Sequence, residues 1–202
     1  MTQNSTHTDE ARLLGALERK HAGPKAFRAL SAPVWRSGHL SEKDKHLVAV
    51  AVAQVTRCAF CIEHHAELAR KCGASEQEAF AVSYITAALE SLGSTVLSAG
   101  NEGFTFDDEA HLAGKAIASA RADFLRSVLN TDDLKPGFVS VVAAAVAYAQ
   151  GNEGRREFFH QRALDADEPG EALDEAYAIV VVLRAGAVYA HTLHVASAFT
   201  DA

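Results

Sequence analysis

The stretch SEKDKHLVAVAVAQVTR, Ser41 to Arg57, admits two opposite readings. Its centre alternates valine and alanine, the period of a half-buried strand. Its start is that of a helix. Ser41 suits an N-cap, and Asp44 stands three positions on, a weaker relative of the capping-box glutamate. Alanine is the strongest helix former. The cap and the alanine content together predict a buried helix.

The helical reading extends along the chain. RCAFCIEHHAELARKCG, Arg57 to Gly73, reads as a second helix that carries Cys58 in its first turn and ends at Gly73, a natural left-handed terminator. SEQEAFAVSYITAALESLGSTVLSA follows as a third, with Ser75 and Glu78 as a capping box. GNEGFTF, Gly100 to Phe106, is the clearest loop. DDEAHLAGKAIASARADFLRSVLN is then an amphipathic helix with acidic residues in its first turn, and TDDLKPG a connector. The first forty residues read as one or two packing helices. Pro24, Pro33, Pro136 and Pro169 lie at boundaries, and no alternating run bounded by turn signals makes a strand. The fold class expected is all-α.

A chain of 202 residues that is 49% hydrophobic can build one sizeable core or two small fused units. The net charge of −7 argues against nucleic acid as a partner, because a phosphate backbone needs a positive patch. The N-terminus, MTQNSTHTDEARLL, has no basic lead into an apolar segment, so no secretory signal is expected. Charge or polar groups interrupt the apolar stretches, so no spanning helix and no membrane association are expected either. A cytoplasmic setting follows by default, where three cysteines are reduced, redox-active or metal-bound rather than structural disulfides.

An internal echo shapes the domain reading. EAFAVSYITAALESLGSTV, Glu78 to Val96, lies over EAYAIVVVLRAGAVYAHTL, Glu175 to Leu193. Before it, HLVAVAVAQ resembles VVAAAVAYAQ, and CAFCIEHH lies over EGRREFFH, pairing His65 with His160. Small gaps are needed to join these blocks. The expectation is one domain over residues 1–202, with a first repeat over 40–99 and a degenerate second over 134–197 that lacks cysteines.

All three cysteines and two of the ten histidines fall in TRCAFCIEHHAELARKCG, Thr56 to Gly73. On a helix, residues three and four apart share a face, so Cys58, Cys61 and His65 form one line. A thiol at a helix N-terminus favours the thiolate. A Cys-x-x-Cys pair closes a disulfide locally, and a histidine one turn on can take or hold a proton. These are the parts of a dithiol redox site. Two thiolates with His65, and His64 beside it, could instead hold zinc, although a structural site lacks its second knuckle here. Buried cysteines that only pack are the plainest alternative. Cys72 reads as incidental, and Trp35 and Phe158–Phe159 as packing. His191 and His194, three apart near the end, are either liners or ligands of the cysteine site, or an interface or surface pair.

The run HLVAVAVAQVTRCAFCIEHHAELARKCGASEQEAFAVSY resembles the core of the carboxymuconolactone decarboxylase and AhpD-like alkylhydroperoxidase family. Cys58, Cys61 and His65 fill its C-x-x-C-x-x-x-H motif. The resemblance implies an all-helical fold, a trimer or hexamer of identical chains, and thiol-dependent reduction of hydroperoxides by an external dithiol donor; from the residues, no cofactor and no metal are expected. It implies Cys61 as the peroxidatic thiol, Cys58 as the resolving one and His65 in a proton relay. The family relay has a glutamate twelve residues before the first cysteine, where this chain has His46. His46 could serve as the base, with a rate limb near pH 6 to 7, or equally be a mere interior or surface histidine, with Glu63 or Glu42 as substitutes. No G-x-G-x-x-G spacing marks a nucleotide cofactor. A protein disulfide reductase, and a non-catalytic metal- or partner-binding helical oligomer, are the other readings.

Overall fold

The computed structural model describes residues 15–17, 19–98, 100, 104–106 and 114–199. Its helices are α1 (Ala22–Ser31), α2 (Glu42–Val55), α3 (Ala59–Lys71), α4 (Glu76–Ser91), α5 (Lys115–Leu129), α6 (Pro136–Ala149), α7 (Glu153–Asp165), α8 (Gly170–Ala190) and α9 (Thr192–Ser197). A 3₁₀ turn over Ala32–Trp35 follows α1. The fold is all-α, as the periodicity predicts. One short antiparallel ribbon departs from that reading: Leu97–Ser98 pairs with Thr105–Phe106, so the end of the GNEGFTF segment is a strand rather than loop. Two residues per strand add little, and the side chains of Leu97 and Phe104 bury beside the helices. The acidic residues Asp107 to Glu109, expected in the first turn of α5, lie outside the described residues, as does the N-terminal stretch to Leu14.

The ambiguous valine–alanine run is a helix. Ser41 accepts the Asp44 N–H at 3.1 Å, and its hydroxyl donates back to the Asp44 carboxylate at 2.6 Å. From Lys45 to Ala53 every residue of α2 is buried, and from Gly137 to Ala147 every residue of α6. Over these spans the two helices are buried on all sides, which only a central position allows. Helices α3, α4, α6 and α8 pack on α2, and α4, α7 and α8 pack on α6. The Ser75–Glu78 capping box is present at the start of α4.

The two halves share a local geometry. Helices α2, α3 and α4 begin at Glu42, Ala59 and Glu76, and α6, α7 and α8 each begin 94 positions later, at Pro136, Glu153 and Gly170. The links agree in detail. After α2, Arg57 takes a left-handed φ of 56° and Cys58 N–H reaches back to Ala53 O; after α6, Gly151 at 73° and Asn152 N–H to Ala147 O repeat this. Gly73 after α3 and Asp167 after α7 form the same left-handed cap. This spacing sets Phe159 opposite His65, not His160, and Ala172 opposite Glu78. The sequence blocks follow alanine-rich composition and slip by one to three residues.

Helix α8 with α9, Gly170–Ala196, is long and apolar enough to cross a membrane by length and composition, contrary to the expectation from the sequence. Here one face of it is core: Ile179, Val180 and Leu183 are buried against α2 and α6. It also anchors the entry to α2. The buried Lys45 ammonium donates to Val34 O and Arg36 O and pairs with Glu175 of α8 at 3.0 Å. The Glu175 carboxylate accepts the N–H groups of His39 and Leu40. Gly38 admits this approach, since a side chain there would strike the carboxylate. Thus a residue of the second half holds the turn that carries Trp35.

Candidate active site

The α2–α3 link places the cysteines. Cys58 is not in the first turn of α3 but at its N-cap, with φ −90° and ψ 96°, and its Sγ accepts the Cys61 N–H at 3.2 Å. Cys61 is the third residue of the helix. A capping sulfur receives a backbone N–H directly, which favours its thiolate form beyond the general pull of the helix end. Asn152 does the same for Arg155 N–H at the start of α7. The same capping contact thus occurs in the second half, which has no cysteine. Cys58 and Cys61 are joined as a disulfide, with Cα atoms 5.3 Å apart. Cys72 is the free cysteine.

Cys61 opens onto a cavity of about 220 Å³. Its floor is Cys61, His64, His65 and Phe60 of α3. Trp35 and Phe27 close one side, and Val182, Leu183, Gly186 and Tyr189 of α8 the other. Phe27 stacks on Tyr189 at 4.6 Å, and the absent side chain of Gly186 leaves room for the Phe27 ring. Cys58 does not line this space, and it is 2% exposed. The two sulfurs are therefore unequal in access.

His65 and His46 face each other with their Nδ1 atoms 3.2 Å apart, and both are buried. The Trp35 indole stacks on both imidazoles, 5.0 Å from each. Burial, and after it the neighbouring His64 and His46, together bring the His65 pKa down to about 3. Burial also lowers His46, against the opposing charge of Glu42. Both rings are neutral near pH 7. One of the facing nitrogens then carries the proton and the other accepts it. A neutral, hydrogen-bonded imidazole pair beside a thiol is a path for a proton rather than a fixed positive charge.

The far end of this pair is not legible as a site in the sequence. Ligand atoms of Glu42, His46 and Cys72 lie within 4.8 Å of one another. Burial, then the charge and hydrogen bond of Glu42, raise the Cys72 thiol above its ordinary value. Cys72, read as incidental from the sequence, thus adjoins Glu42 and His46. Of the two substitutes for the relay carboxylate, Glu42 adjoins His46, whereas Glu63 is exposed and away from the cavity lining. His191 and His194 do not line the cavity; the rings lie 6.2 Å apart near the end of the described chain. Phe159 is fully buried and packs edge-on to Phe158, as expected. Trp35, read as packing, is the lid of the imidazole pair. Its one signal in the sequence is that it is the sole tryptophan.

Residues 22–96, from α1 to the end of the α4 region, match the family model of the carboxymuconolactone decarboxylase family. This segment belongs to that family. The match covers α1 to α4 with all three cysteines and ends before α5. A curated relative, described as uncharacterized protein 4 in the cox locus of Paracoccus denitrificans, is 44% identical over 62 residues. Those residues are 31% of this chain and 56% of the relative, so the chain spans little more than half of that protein's length. No solved structure matches.

Proposed function

We propose that this chain is a thiol-dependent hydroperoxide reductase. The observation that carries the reading is the asymmetry of the cysteine pair: Cys61 opens on a small apolar cavity that His65 also lines, and Cys58 sits behind it, disulfide-bonded to it and capping its N–H. In the reduced protein, the Cys61 sulfur attacks the terminal oxygen of ROOH as the neutral His65–His46 pair relays the thiol proton away. The O–O bond breaks, and the leaving alkoxide takes the proton and departs as ROH. The Cys61 sulfenic acid then condenses with the Cys58 thiol, forming the S–S bond and releasing water. An external dithiol returns both thiols. A cavity of about 220 Å³ suits a small organic hydroperoxide better than the disulfide of a protein substrate, which favours this over the reductase reading.

In this proposal the second half is a degenerate copy of the first, in which Asn152 keeps the cap of Cys58 and α8 has become the cavity wall. The protein works in a cytoplasmic setting, where a dithiol donor is present. The chain is a homo-oligomer, a trimer of fused pairs, because apolar side chains are left outside. Phe80 and Tyr84 stack on the surface of α4, and Val181, Val188 and Val195 form an exposed stripe along α8 and α9.

The test is a stopped-flow reaction of the reduced protein with a small alkyl hydroperoxide, followed by thiol counting and peptide mapping. Two thiols should be lost per peroxide, with Cys58 joined to Cys61 and Cys72 left free. Cys61→Ser should abolish the reaction. Cys58→Ser should give one turnover and a trappable sulfenic acid at Cys61. Peroxide consumption unchanged in Cys61→Ser would sink the reading.

A further inference from the structure

We propose that Glu42, His46 and Cys72 form a zinc-type metal site at the outer end of the imidazole pair. Helix α2 presents Glu42 and His46 one turn apart, and Cys72, at the C-cap of α3, meets them from the neighbouring helix. Their three ligand atoms already lie within 4.8 Å of one another. A tetrahedral zinc ion with bonds of about 2.0 to 2.3 Å needs ligands roughly 3.3 to 3.8 Å apart, so small side-chain rotations close the site. One carboxylate, one imidazole and one thiolate supply three ligands and leave the fourth position to water. Thiolate and imidazole together select zinc over magnesium or calcium, which prefer oxygen.

The burial is graded in the way an ion needs. Glu42 is exposed, Cys72 half-buried and His46 buried, so the site has an entrance and a fixed inner ligand. The inner ligand also has its supporting partner in place. His46 Nδ1 is turned to His65, which leaves Nε2 for the ion. Metal-bound histidines hold their other ring nitrogen in such a hydrogen bond. On binding, the Cys72 proton leaves to solvent and its sulfur becomes a ligand.

The site would act on the cysteine pair through His46. With the ion on Nε2, His46 must keep its proton on Nδ1 and donate it to His65. His65 then carries its own proton on Nε2 and has no nitrogen free to accept one from Cys61. Bound zinc therefore slows thiol oxidation; this consequence, unlike the site itself, rests on the hydroperoxide reductase reading.

The experiment uses the full chain with Cys58–Cys61 oxidised, so that Cys72 is the single thiol. Cobalt chloride should give a saturable thiolate charge-transfer band at one equivalent, displaced by zinc chloride. Cys72→Ser should abolish the band, and both it and Glu42→Gln should weaken zinc binding in calorimetry by about tenfold or more. A parent with no saturable band, or Cys72→Ser binding zinc as tightly as the parent, overturns the site. In a second arm, zinc should slow peroxide oxidation of the reduced parent but not of Cys72→Ser. Equal inhibition of both would place the ion on the reduced cysteine pair and overturn the coupling through His46. A parent that binds cobalt but never reacts with peroxide would remove the reductase reading and leave the site standing.

Discussion

His65→Phe tests the imidazole pair through stability as well as chemistry. The fold accepts phenylalanine in this setting, since Phe159 takes the corresponding place on α7 and is fully buried. In the parent, burial holds the His65 pKa at about 3, against 6.5 in the unfolded chain. Between those values the unfolded state binds a proton at this site and the folded state does not. Folding stability therefore falls as pH drops from 6.5 toward 3, and is fully retained above that window. A pKa difference of one between the two states is worth about 1.4 kcal/mol, so His65 alone should cost the parent roughly 3 kcal/mol between pH 7 and pH 4. Phenylalanine has no proton to gain. Urea unfolding of the oxidised proteins at pH 7 and pH 4 should show the parent losing about 3 kcal/mol more than His65→Phe. Carboxylates that titrate in the same range contribute equally to both and cancel in the comparison. The reduced variant should also react with peroxide about 10²-fold more slowly. If both proteins lose the same stability between the two pH values, His65 is not held neutral by burial, and the imidazole pair is not the proton path described.

The kinetic pH profile follows from the same desolvation. Because burial pushes His46 and His65 both below their ordinary value, any rate limb from them should lie at lower pH than an unperturbed imidazole would give. Trp35→Ala should move that limb up, since water reaching both rings raises their pKa values toward 6.5; a profile unchanged by the substitution would mean that the indole does not shield them. Glu175→Gln should cost about 3 kcal/mol in urea unfolding, because Lys45 is left charged and buried without its carboxylate, and an effect below about 0.5 kcal/mol would contradict the pairing. Sedimentation at micromolar concentration should find a trimer, and a strict monomer would show that the Phe80–Tyr84 and Val181–Val195 faces are not interfaces.

The sequence by itself determined the helices and the identity of the thiol pair. Caps, alanine content and left-handed terminators are local signals, and they act within one turn of the residues that carry them. Ser41, Ser75 and Gly73 do in the fold what their chemistry dictates at short range. The spacing of Cys58, Cys61 and His65 likewise lies within a single helix and its cap. What the tertiary structure decided is everything that joins distant segments. It turned the valine–alanine alternation into a helix covered on every side, laid Trp35 across two imidazoles, and brought Cys72 to Glu42 and His46. It also tied Lys45 to Glu175 across the two halves and made α8 the wall above Cys61. Such pairings arise from the packing of helices against one another, and no periodicity along one helix records which face its neighbour will present. The lowered pKa values of His46 and His65 belong to the same class, because desolvation is a property of the surroundings and not of the residue.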